Sequence, residues 1–306
     1  MSRNHNHNVP RAQRQGTVFQ AREQQGLLEF VMKALDGISR NKAKSILSHG
    51  GVTVDGKTET HFDFQVQPDS VIEISRQPRT PAETSKHYNI VYEDQWLVVV
   101  DKEPGVLSMG VGAGSLNMKS LLDRHFAETR QRCTAHVVHR LDCRTSGLMV
   151  YAKSSDVQQA FVKDWKNVVT DRRYVAVVDG VMERDEGRVE SWLRDNKNMR
   201  VISYREDPGG GKFSITTWRI PERADEHSLI ELKLLTGRKN QIRVHMRDIG
   251  HPVTGDGKYG RQEKPSSRHC LHAYKLAFTH PVTGEPLAFE TPIPPYFYQR
   301  LRQVGK

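Results

Sequence analysis

The sequence contains few cysteines, no long apolar run and few acidic residues for its number of basic ones. Its three cysteines among 306 residues, Cys133, Cys143 and Cys270, have spacings that match neither a zinc module nor a disulfide framework. The apolar runs, such as residues 97–100 and 148–151, are as long as a strand, whereas a membrane-spanning helix needs about 20 apolar residues. These absences predict a soluble protein of the reducing cytoplasm that has no membrane segment.

The shortage of acidic residues makes the chain basic. Lys and Arg number 46 against 36 Asp and Glu, which gives a formal net charge of +10. Such a surplus suits a polyanionic partner, although many basic proteins bind nothing in particular. Charge alone therefore leaves both alternatives open.

The patterns along the chain divide it into four segments. Residues 1–25 are polar and rich in Arg, which predicts a disordered basic arm. Residues 26–75 predict a compact αα-ββ domain, and residues 76–86, with two prolines and no periodicity, predict a linker. Residues 87–306 carry strand patterns at 90–92, 96–100, 148–152, 174–178, 213–220, 229–235 and 271–278, and fewer helical patterns, at about 116–126, 157–165 and 241–249. They predict an α+β fold that is built on a large, mostly antiparallel sheet.

The αα-ββ segment has apolar residues at helical spacing in residues 27–35 and 43–47. A strand then runs into an Asp-Gly turn at Asp55 and Gly56, which is typical of a hairpin. This order, with the pattern Ser-Arg-x-x-Ala-x-x-x-Leu-x-x-Gly-x-Val-x-Val-x-Gly at residues 39–56, resembles the S4 RNA-binding domain. The resemblance implies that the segment binds RNA.

Basic residues on the second helix of this segment are the candidate RNA contacts. They are Arg40, Lys42 and Lys44, and Arg40 and Lys44 share an exposed helical face because they lie four positions apart. That face can meet phosphates. The whole segment holds five basic against seven acidic residues, so a plain helical surface is the alternative.

One short motif carries the first chemical signal. Residues 139–147 read HRLDCRTSG and place one carboxylate, Asp142, between Arg140 and Arg144. Strand-like runs on both sides predict that backbone pairing fixes this turn. Nearby guanidinium groups favour the ionised carboxylate, which can attack carbon. Asp142 is therefore a candidate nucleophile, and its alternative role is to cap a turn.

A second motif, LTGRKNQIRVHM at residues 235–246, predicts a strand, a glycine turn and a helix. The turn and the first turn of the helix carry Arg238, Asn240, Gln241 and Arg243. Cationic and amide donors at a helix N-terminus predict an anion site, which either a phosphate or a carboxylate could fill. Arg238 is a candidate RNA contact.

Other motifs predict no further site. The glycine-rich residues 110–114 and 208–212 lack the strand-to-helix context of nucleotide binding and predict loops. Two pairs of histidines, at 136 and 139 and at 269 and 272, lie three positions apart, so in strands their side chains face opposite sides. We therefore expect no metal site.

Five separated segments together resemble the RluA family of RNA pseudouridine synthases. They read HRLDCRTSGLMVYAK, RRYVAVVDG, LTGRKNQIRVHM with GHPVTGDGKYG, LHAYKLAFTHP and GEPLAFETPIP. With the S4-like segment, the match covers about residues 26–295. The resemblance implies the fold of that family and the isomerisation of specific uridines to pseudouridine in structured RNA. This chemistry needs no cofactor, because it involves no net redox change and no external group.

The resemblance also implies roles for individual residues. Asp142 matches the catalytic aspartate, and Arg243 matches the arginine that pairs with it. Tyr174 matches the aromatic residue that stacks on the target uracil, and Arg140 matches the arginine near the flipped base. At the family's usual histidine this chain has Asn240, which forms hydrogen bonds but carries no charge.

Some alternatives stay open at this point. Asp142 could attack C1′ of the ribose or C6 of the ring, and Tyr174 could accept a proton, position a water or simply pack in the core. Ribosomal RNA of the large subunit is favoured over transfer RNA by the S4-like segment, and a monomer is the default. The second class of function is a noncatalytic RNA-binding or ribosome-assembly factor, but a carboxylate close to a polyanion would weaken mere binding.

Overall fold

The computed structural model describes residues 17–36, 38–48, 51–59, 61–74, 84–110, 115–260 and 268–303. The predicted arm up to residue 16, the predicted linker from 76 to 83 and most of the first glycine-rich loop lie outside these ranges. The chain divides into two compact units, residues 1–83 with 92–94 and residues 84–91 with 95–306. We call them the N-terminal unit and the large unit.

The N-terminal unit combines two helices with small sheets. Its elements are Thr17–Gln20 (β1), Gln25–Gly26 (β2), Leu27–Ala34 (α1), Arg40–Ser48 (α2), Val52–Val54 (β3), Lys57–Thr58 (β4), Gln65–Val66 (β5) and Val71–Ile74 (β6). The sheet order is β1-β6-β3-β4, and β2 pairs with β5. Asp55 and Gly56 have φ of 50° and 79°, the left-handed conformation that a two-residue hairpin turn requires.

The ordered part of this unit begins earlier than the sequence predicts. Residues 17–20 form the edge strand β1, which pairs antiparallel with β6, and Ala21 is buried. The prediction of a disordered arm up to residue 25 is therefore corrected for residues 17–25. The strand escapes a pattern search because it is short and Val18 is exposed, so its alternation of apolar and polar residues is weak.

The large unit contains most of the chain. Its strands are Thr84–Ser85 (β7), Tyr88–Glu93 (β8), Leu97–Lys102 (β9), His136–Val137 (β10), Ser146–Ala152 (β11), Val169–Asp179 (β12), Glu186–Asp195 (β13), Val201–Tyr204 (β14), Lys212–Arg223 (β15), His227–Leu234 (β16), Leu271–Thr279 (β17) and Pro286–Glu290 (β18). Its helices are Met118–Glu128 (α3), Ser155–Lys163 (α4), Trp165–Val168 (α5), Gln241–Asp248 (α6) and Pro295–Leu301 (α7). None of the helices in the described ranges is long and apolar enough to span a membrane.

These strands form one mixed sheet in the order β14-β13-β15-β16-β12-β17-β11-β9-β8-β7, with β10 on β11 and β18 on β17. Most neighbours run antiparallel, whereas β11 and β17 run parallel. The predicted linker ends two residues sooner than expected, because β7 already pairs with β8. The sequence patterns located the central strands but not β13, β14 or β18, whose exposed faces carry charged residues or whose lengths are short.

The sheet is covered on both faces by apolar groups. Leu122 and Phe126 of α3 belong to the core cluster on one face, together with Tyr174. Phe297 of α7 belongs to the cluster on the other face, together with Val175. This division follows from the alternation of side chains along β12, and it fixes the face on which Tyr174 lies.

A glycine allows the parallel strands to approach closely. Gly147 at the start of β11 has φ of +117°, and a Cβ built there would lie 2.3 Å from the carbonyl oxygen of Ala273. A side chain cannot fit at that distance, so the Gly of the motif holds β11 against β17. The turn that contains Asp142 therefore ends at a fixed point of the sheet.

A buried histidine of α6, His245, links the strands β13 and β15. His245 contacts the Ser191 hydroxyl through Nε2 at 3.0 Å and the Thr216 hydroxyl through Nδ1 at 2.8 Å. Burial lowers the pKa of His245 from 6.5 to about 4. The folded protein therefore holds this ring uncharged at neutral pH.

We expect this ring to make the protein less stable in mild acid. The unfolded chain binds a proton near pH 6.5 and the folded chain only near pH 4, so stability from the neutral ring is lost as pH falls between them. Between pH 7 and pH 4.5, the free energy of unfolding should therefore fall by about 2 kcal/mol less for His245→Gln than for the parent. Urea titrations at the two pH values measure this difference, and equal losses would contradict it.

Candidate active site

A cleft in the large unit has a volume of about 670 Å³. It is lined by residues 138–142, by residues of α4, α5 and β12, and by residues 233–243. Seven of its residues are basic and two are acidic, Asp142 and Asp171. A cleft with this charge attracts a polyanion.

Backbone pairing and a buried hydroxyl fix the turn that carries Asp142. The flanking strands β10 and β11 pair with each other, and the Thr145 amide donates to the Asp142 carbonyl at 3.1 Å. The Ser108 hydroxyl donates to the Leu141 carbonyl at 2.8 Å and accepts from the Leu141 amide at 3.0 Å. The backbone next to the carboxylate is therefore held on both sides.

A buried lysine ties this turn to the end of β9. The Lys102 ammonium donates to three carbonyl oxygens, those of Glu103 at 3.0 Å, Val106 at 3.0 Å and Cys143 at 3.2 Å. Its side chain is fully buried, and burial lowers the pKa of Lys102 to about 8. Three charge-assisted hydrogen bonds compensate for the loss of water around the ammonium.

The carboxylate of Asp142 is held from one side. Asn240 Nδ2 donates to Asp142 Oδ2 at 2.6 Å, and Arg243 NH1 donates to the same oxygen at 2.9 Å. The side chain of Asp142 is 17% exposed, which leaves it open to the cleft. Both bonds end on Oδ2. Within the described residues, Oδ1 is therefore the oxygen that can meet a ligand in the cleft.

Arg243 is itself clamped by a second carboxylate. Its Nε and NH2 donate to Asp256 Oδ2 and Oδ1 at 2.6 and 2.9 Å, and Asp256 is buried. Burial alone would raise the pKa of Asp256, but the bonds from Arg243 outweigh burial and lower that pKa. Asp256 therefore stays ionised and holds the guanidinium in the plane that meets Asp142.

Tyr259 completes the support of both donors. Its hydroxyl donates to Asn240 Oδ1 at 3.1 Å and accepts from the Val201 amide at 3.0 Å, and the guanidinium carbon of Arg243 lies 5.0 Å from its ring centroid. Asn240 adopts a left-handed backbone conformation, with φ of 53°, which Asn tolerates better than most residues. The amide is thus oriented with Nδ2 toward Asp142.

Tyr174 lies on β12 and lines the same cleft, although only 4% of its surface is exposed. Burial raises the pKa of the Tyr174 hydroxyl, and the negative charge of Asp142 adds to this rise. The phenol therefore stays protonated at neutral pH. Its ring offers an apolar surface beside the carboxylate, and its hydroxyl can position a water or a polar group of a ligand.

The remaining predicted residues fall into two groups. Arg140 and Arg238 line the cleft and are exposed, beside Asp142 and the turn before α6 respectively. Arg40 and Lys44 are exposed on α2 of the N-terminal unit, where the Lys44 ammonium lies 4.9 Å from the Phe62 ring centroid. The side chain of Lys42 lies outside what the structure describes.

Metal ligands are not gathered anywhere in the described part of the chain, where no three His, Cys, Asp or Glu side chains come together. His139 accepts from the Val150 amide through Nε2, and His272 contacts Ser146 and Thr291. These histidines serve the packing of the sheet.

Three supporting residues were not predicted from the sequence. They are Asp256, Tyr259 and Lys102, which support the residues around Asp142. Asp256 and Tyr259 stand in the segment GHPVTGDGKYG, but no sequence pattern assigned a role to either of them. A signal was present for Asp256, because an acidic residue between two glycines, Gly255 and Gly257, marks a close turn. A Cβ at Gly255 would lie 2.1 Å from the carbonyl oxygen of Arg268.

Comparison with known proteins gives consistent matches. Residues 96–248 match the RNA pseudouridylate synthase family. A ribosomal large subunit pseudouridine synthase D of Neisseria meningitidis serogroup B is 36% identical over 303 residues, covering 90% of this chain and 78% of that protein. The protein of the same name from Vibrio cholerae is 33% identical over 297 residues, covering 91% and 90%.

Solved structures agree in fold. Human RNA Pseudouridylate Synthase Domain Containing 1 superposes with a TM-score of 0.56 at 26% identity and covers 68% of this chain and 84% of its own. Human RNA Pseudouridylate Synthase Domain Containing 4 gives the same TM-score at 23% identity, covering 69% and 91%. At that identity the second likeness shows the fold alone.

Proposed function

Because the chain belongs to the RNA pseudouridylate synthase family, we propose that it converts uridines of large-subunit ribosomal RNA to pseudouridine with Asp142 as nucleophile. The enzyme is an isomerase. The observation that supports this site most strongly is the Asp142 carboxylate, held by Arg243 and Asn240 and open to a basic cleft. Relatives named for the ribosomal large subunit support the choice of RNA.

The reaction moves the ribose from N1 to C5 of the same uracil. In one route Asp142 Oδ1 bonds to C1′, the C1′–N1 bond breaks, and the freed base turns until C5 displaces the carboxylate. In the other route Oδ1 adds to C6, the C1′–N1 bond breaks, the base turns and C5 bonds to C1′, and the carboxylate then leaves C6 as the ring double bond re-forms. In both routes C5 loses a proton and N1 gains one, so no cofactor is consumed.

The donors on Oδ2 serve either route. The bond from Arg243 aims the Asp142 carboxylate into the cleft, and the clamp by Asp256 keeps the guanidinium from turning. Asn240 takes the place of a histidine in the family and donates a hydrogen bond without adding charge. Its amide therefore orients the nucleophile and takes no part in proton transfer.

Tyr174 and Arg140 are proposed to receive the extruded base. The Tyr174 ring gives the uracil a surface to stack on, and its hydroxyl, kept protonated by burial, positions the water that takes the C5 proton. Arg140 is exposed at the cleft, where its planar guanidinium can fill the place that the base leaves in the RNA stack.

We further propose that the N-terminal unit is an S4-like RNA-binding module. Its two helices precede the hairpin of β3 and β4, which is the order of that domain. Arg40 and Lys44 are exposed on α2, and Lys42 lies between them in sequence. Exposed Phe62 under the Lys44 ammonium adds an aromatic surface to these charges. The protein is proposed to act in the cytoplasm as a monomer.

Mapping pseudouridine on defined RNA tests this function. The purified protein is incubated with a transcript of its own large-subunit ribosomal RNA, and carbodiimide-stop sequencing locates the modified sites. We expect pseudouridine at one or a few discrete uridines and none in transfer RNA transcripts treated alike. A protein that binds this RNA but modifies no uridine would instead support the noncatalytic assembly factor.

The salt dependence of RNA binding tests the role of α2. Replacing Arg40 and Lys44 together with Gln should weaken binding and reduce the slope of log affinity against log salt by about 2, because two phosphate contacts disappear. Lys33→Gln is the matched control, since Lys33 is exposed on α1 of the same unit. An unchanged slope would show that α2 touches no phosphate.

A further inference from the structure

An aromatic side chain at the mouth of the cleft has no part in the steps above. Trp165 at the start of α5 lines the cleft and is partly exposed. Its ring lies 5.4 Å from that of His139 and 5.4 Å from the guanidinium carbon of Arg172. The tryptophan is therefore held by two neighbours while part of its surface stays open to the cleft.

One of the two neighbours, His139, is uncharged and is hydrogen-bonded to the sheet. His139 Nε2 accepts a hydrogen bond from the Val150 amide at 3.1 Å, which ties the histidine to the central strand β11. Burial lowers the pKa of His139 to about 3, so the ring is neutral whenever RNA would bind. A neutral, fixed neighbour holds the indole in place without competing for a phosphate.

Exposed apolar groups also line this cleft. Val162 and Leu235 have 58% and 46% of their surfaces exposed, whereas most large apolar side chains of this unit are buried. Lys166, Arg172 and Arg238 line the same cleft. Apolar and basic side chains in one cleft match an unpaired nucleotide, which presents a flat apolar base on an anionic backbone.

Arg172 lies close both to Trp165 and to the turn before α6. Its guanidinium meets the Trp165 ring on one side, and its NH2 lies 2.9 Å from where a Cβ on Gly237 would stand. The glycine thus leaves room for this arginine against the turn before α6. A cation in that position can contact the phosphate next to a base that stacks on Trp165.

From these contacts we propose that Trp165 forms a stacking subsite for an unpaired nucleobase next to the flipped uridine. The inference rests on the proposed function, since it assumes an RNA whose target base is extruded. Extrusion leaves the neighbouring base without one stacking partner, and the indole replaces it. Tyr174 is already assigned to the target uracil, so the neighbouring base needs a second aromatic surface.

A binding experiment on three RNAs tests the subsite. The first is the ribosomal stem-loop that carries the mapped uridine, and the others are the same RNA with an abasic nucleotide on either side of that uridine. Trp165→Leu removes the aromatic ring at similar bulk, and Trp165→Phe restores a ring. Trp96→Leu is the matched control, because Trp96 is also partly exposed but does not line the cleft.

We expect Trp165→Leu to bind the normal stem-loop about tenfold more weakly, with the saturating single-turnover rate within about twofold of the parent. Trp165→Phe should recover most of the affinity, and one of the two abasic RNAs should bind the parent and Trp165→Leu equally. A tenfold loss that persists on both abasic RNAs, or a loss of rate without a loss of affinity, would overturn the subsite.

A second measurement separates this inference from the proposed function. Oligouridylate is titrated against the parent and Trp165→Phe, and tryptophan fluorescence is followed. Quenching in the parent that is absent from Trp165→Phe supports stacking even if no ribosomal uridine is modified. Equal quenching in both proteins would contradict the subsite, whereas failure of the proposed function is read only from the pseudouridine map.

Discussion

Replacing Asp142 with Asn is expected to abolish pseudouridine formation while RNA binding persists. The amide has the shape of the carboxylate but is not a nucleophile toward C1′ or C6, so turnover should fall at least about 10⁴-fold. The fold should hold, because the turn is fixed by backbone bonds, by Ser108 and by Lys102 rather than by the carboxylate. Mass spectrometry of treated RNA measures the product, and filter binding measures the affinity.

The matched control for this change is Asp248→Asn. Asp248 ends α6 and pairs with Arg247 on the surface, outside the residues that line the cleft. Its loss should leave turnover within about twofold, since a surface ion pair contributes about 0–1 kcal/mol. Equal product from Asp142→Asn and the parent would remove Asp142 from the mechanism and favour a different nucleophile.

The second large effect is expected for Arg243→Lys. Three nitrogens of Arg243 reach two carboxylates at once, and one ammonium cannot reproduce this fork. The nucleophile would lose its alignment, so we expect turnover to fall about 100-fold with affinity for RNA nearly unchanged. Buried Asp256 would still lie beside a cation, the ammonium of the new lysine, but it would accept fewer hydrogen bonds. This loss should lower the free energy of unfolding by about 1–3 kcal/mol.

Arg223→Lys controls for the general effect of exchanging the two cations. Arg223 pairs with exposed Asp185 and donates to the Met182 carbonyl, away from the cleft. Single-turnover rates at saturating protein measure the loss of alignment, and thermal unfolding of both variants measures the loss of stability. A rate for Arg243→Lys equal to that of Arg223→Lys would contradict the orienting role.

Local patterns were enough to predict the turn that carries Asp142. The motif around Asp142 lies between two strand-like runs, and these runs pair as β10 and β11. Helices α3, α4 and α6 also lie where apolar periodicity placed them, to within a few residues. These features depend on neighbours in sequence, so composition and spacing carry the necessary information.

Contacts between distant residues could not be predicted in this way. Asp142 and Arg243 are 101 positions apart, and Lys102 reaches Cys143 across 41 positions. No periodic pattern relates residues that lie so far apart, and the resemblance to a family implied only the pairing of Asp142 with Arg243. Asp256 is 13 positions from Arg243, yet a loop separates it from α6, so the clamp needs the folded chain to become visible.

Weak strand signals had another cause. The edge strand β1 exposes Val18, and β13 alternates charged residues with half-buried ones, so neither shows a continuous apolar face. Their pairing comes from backbone hydrogen bonds to neighbours that are already in place. Tertiary context decides such strands more than their own sequence does.

The fully buried Lys102 also offers a way to watch the active-site turn move. An amine with no exposed surface cannot react with an acylating reagent, whereas an exposed lysine such as Lys33 or Lys44 can. Its labelling, read by peptide mass spectrometry, therefore reports how often the segment around Cys143 detaches from the end of β9. Comparing that rate with and without RNA would show whether bound RNA reduces the opening of the turn that carries Asp142.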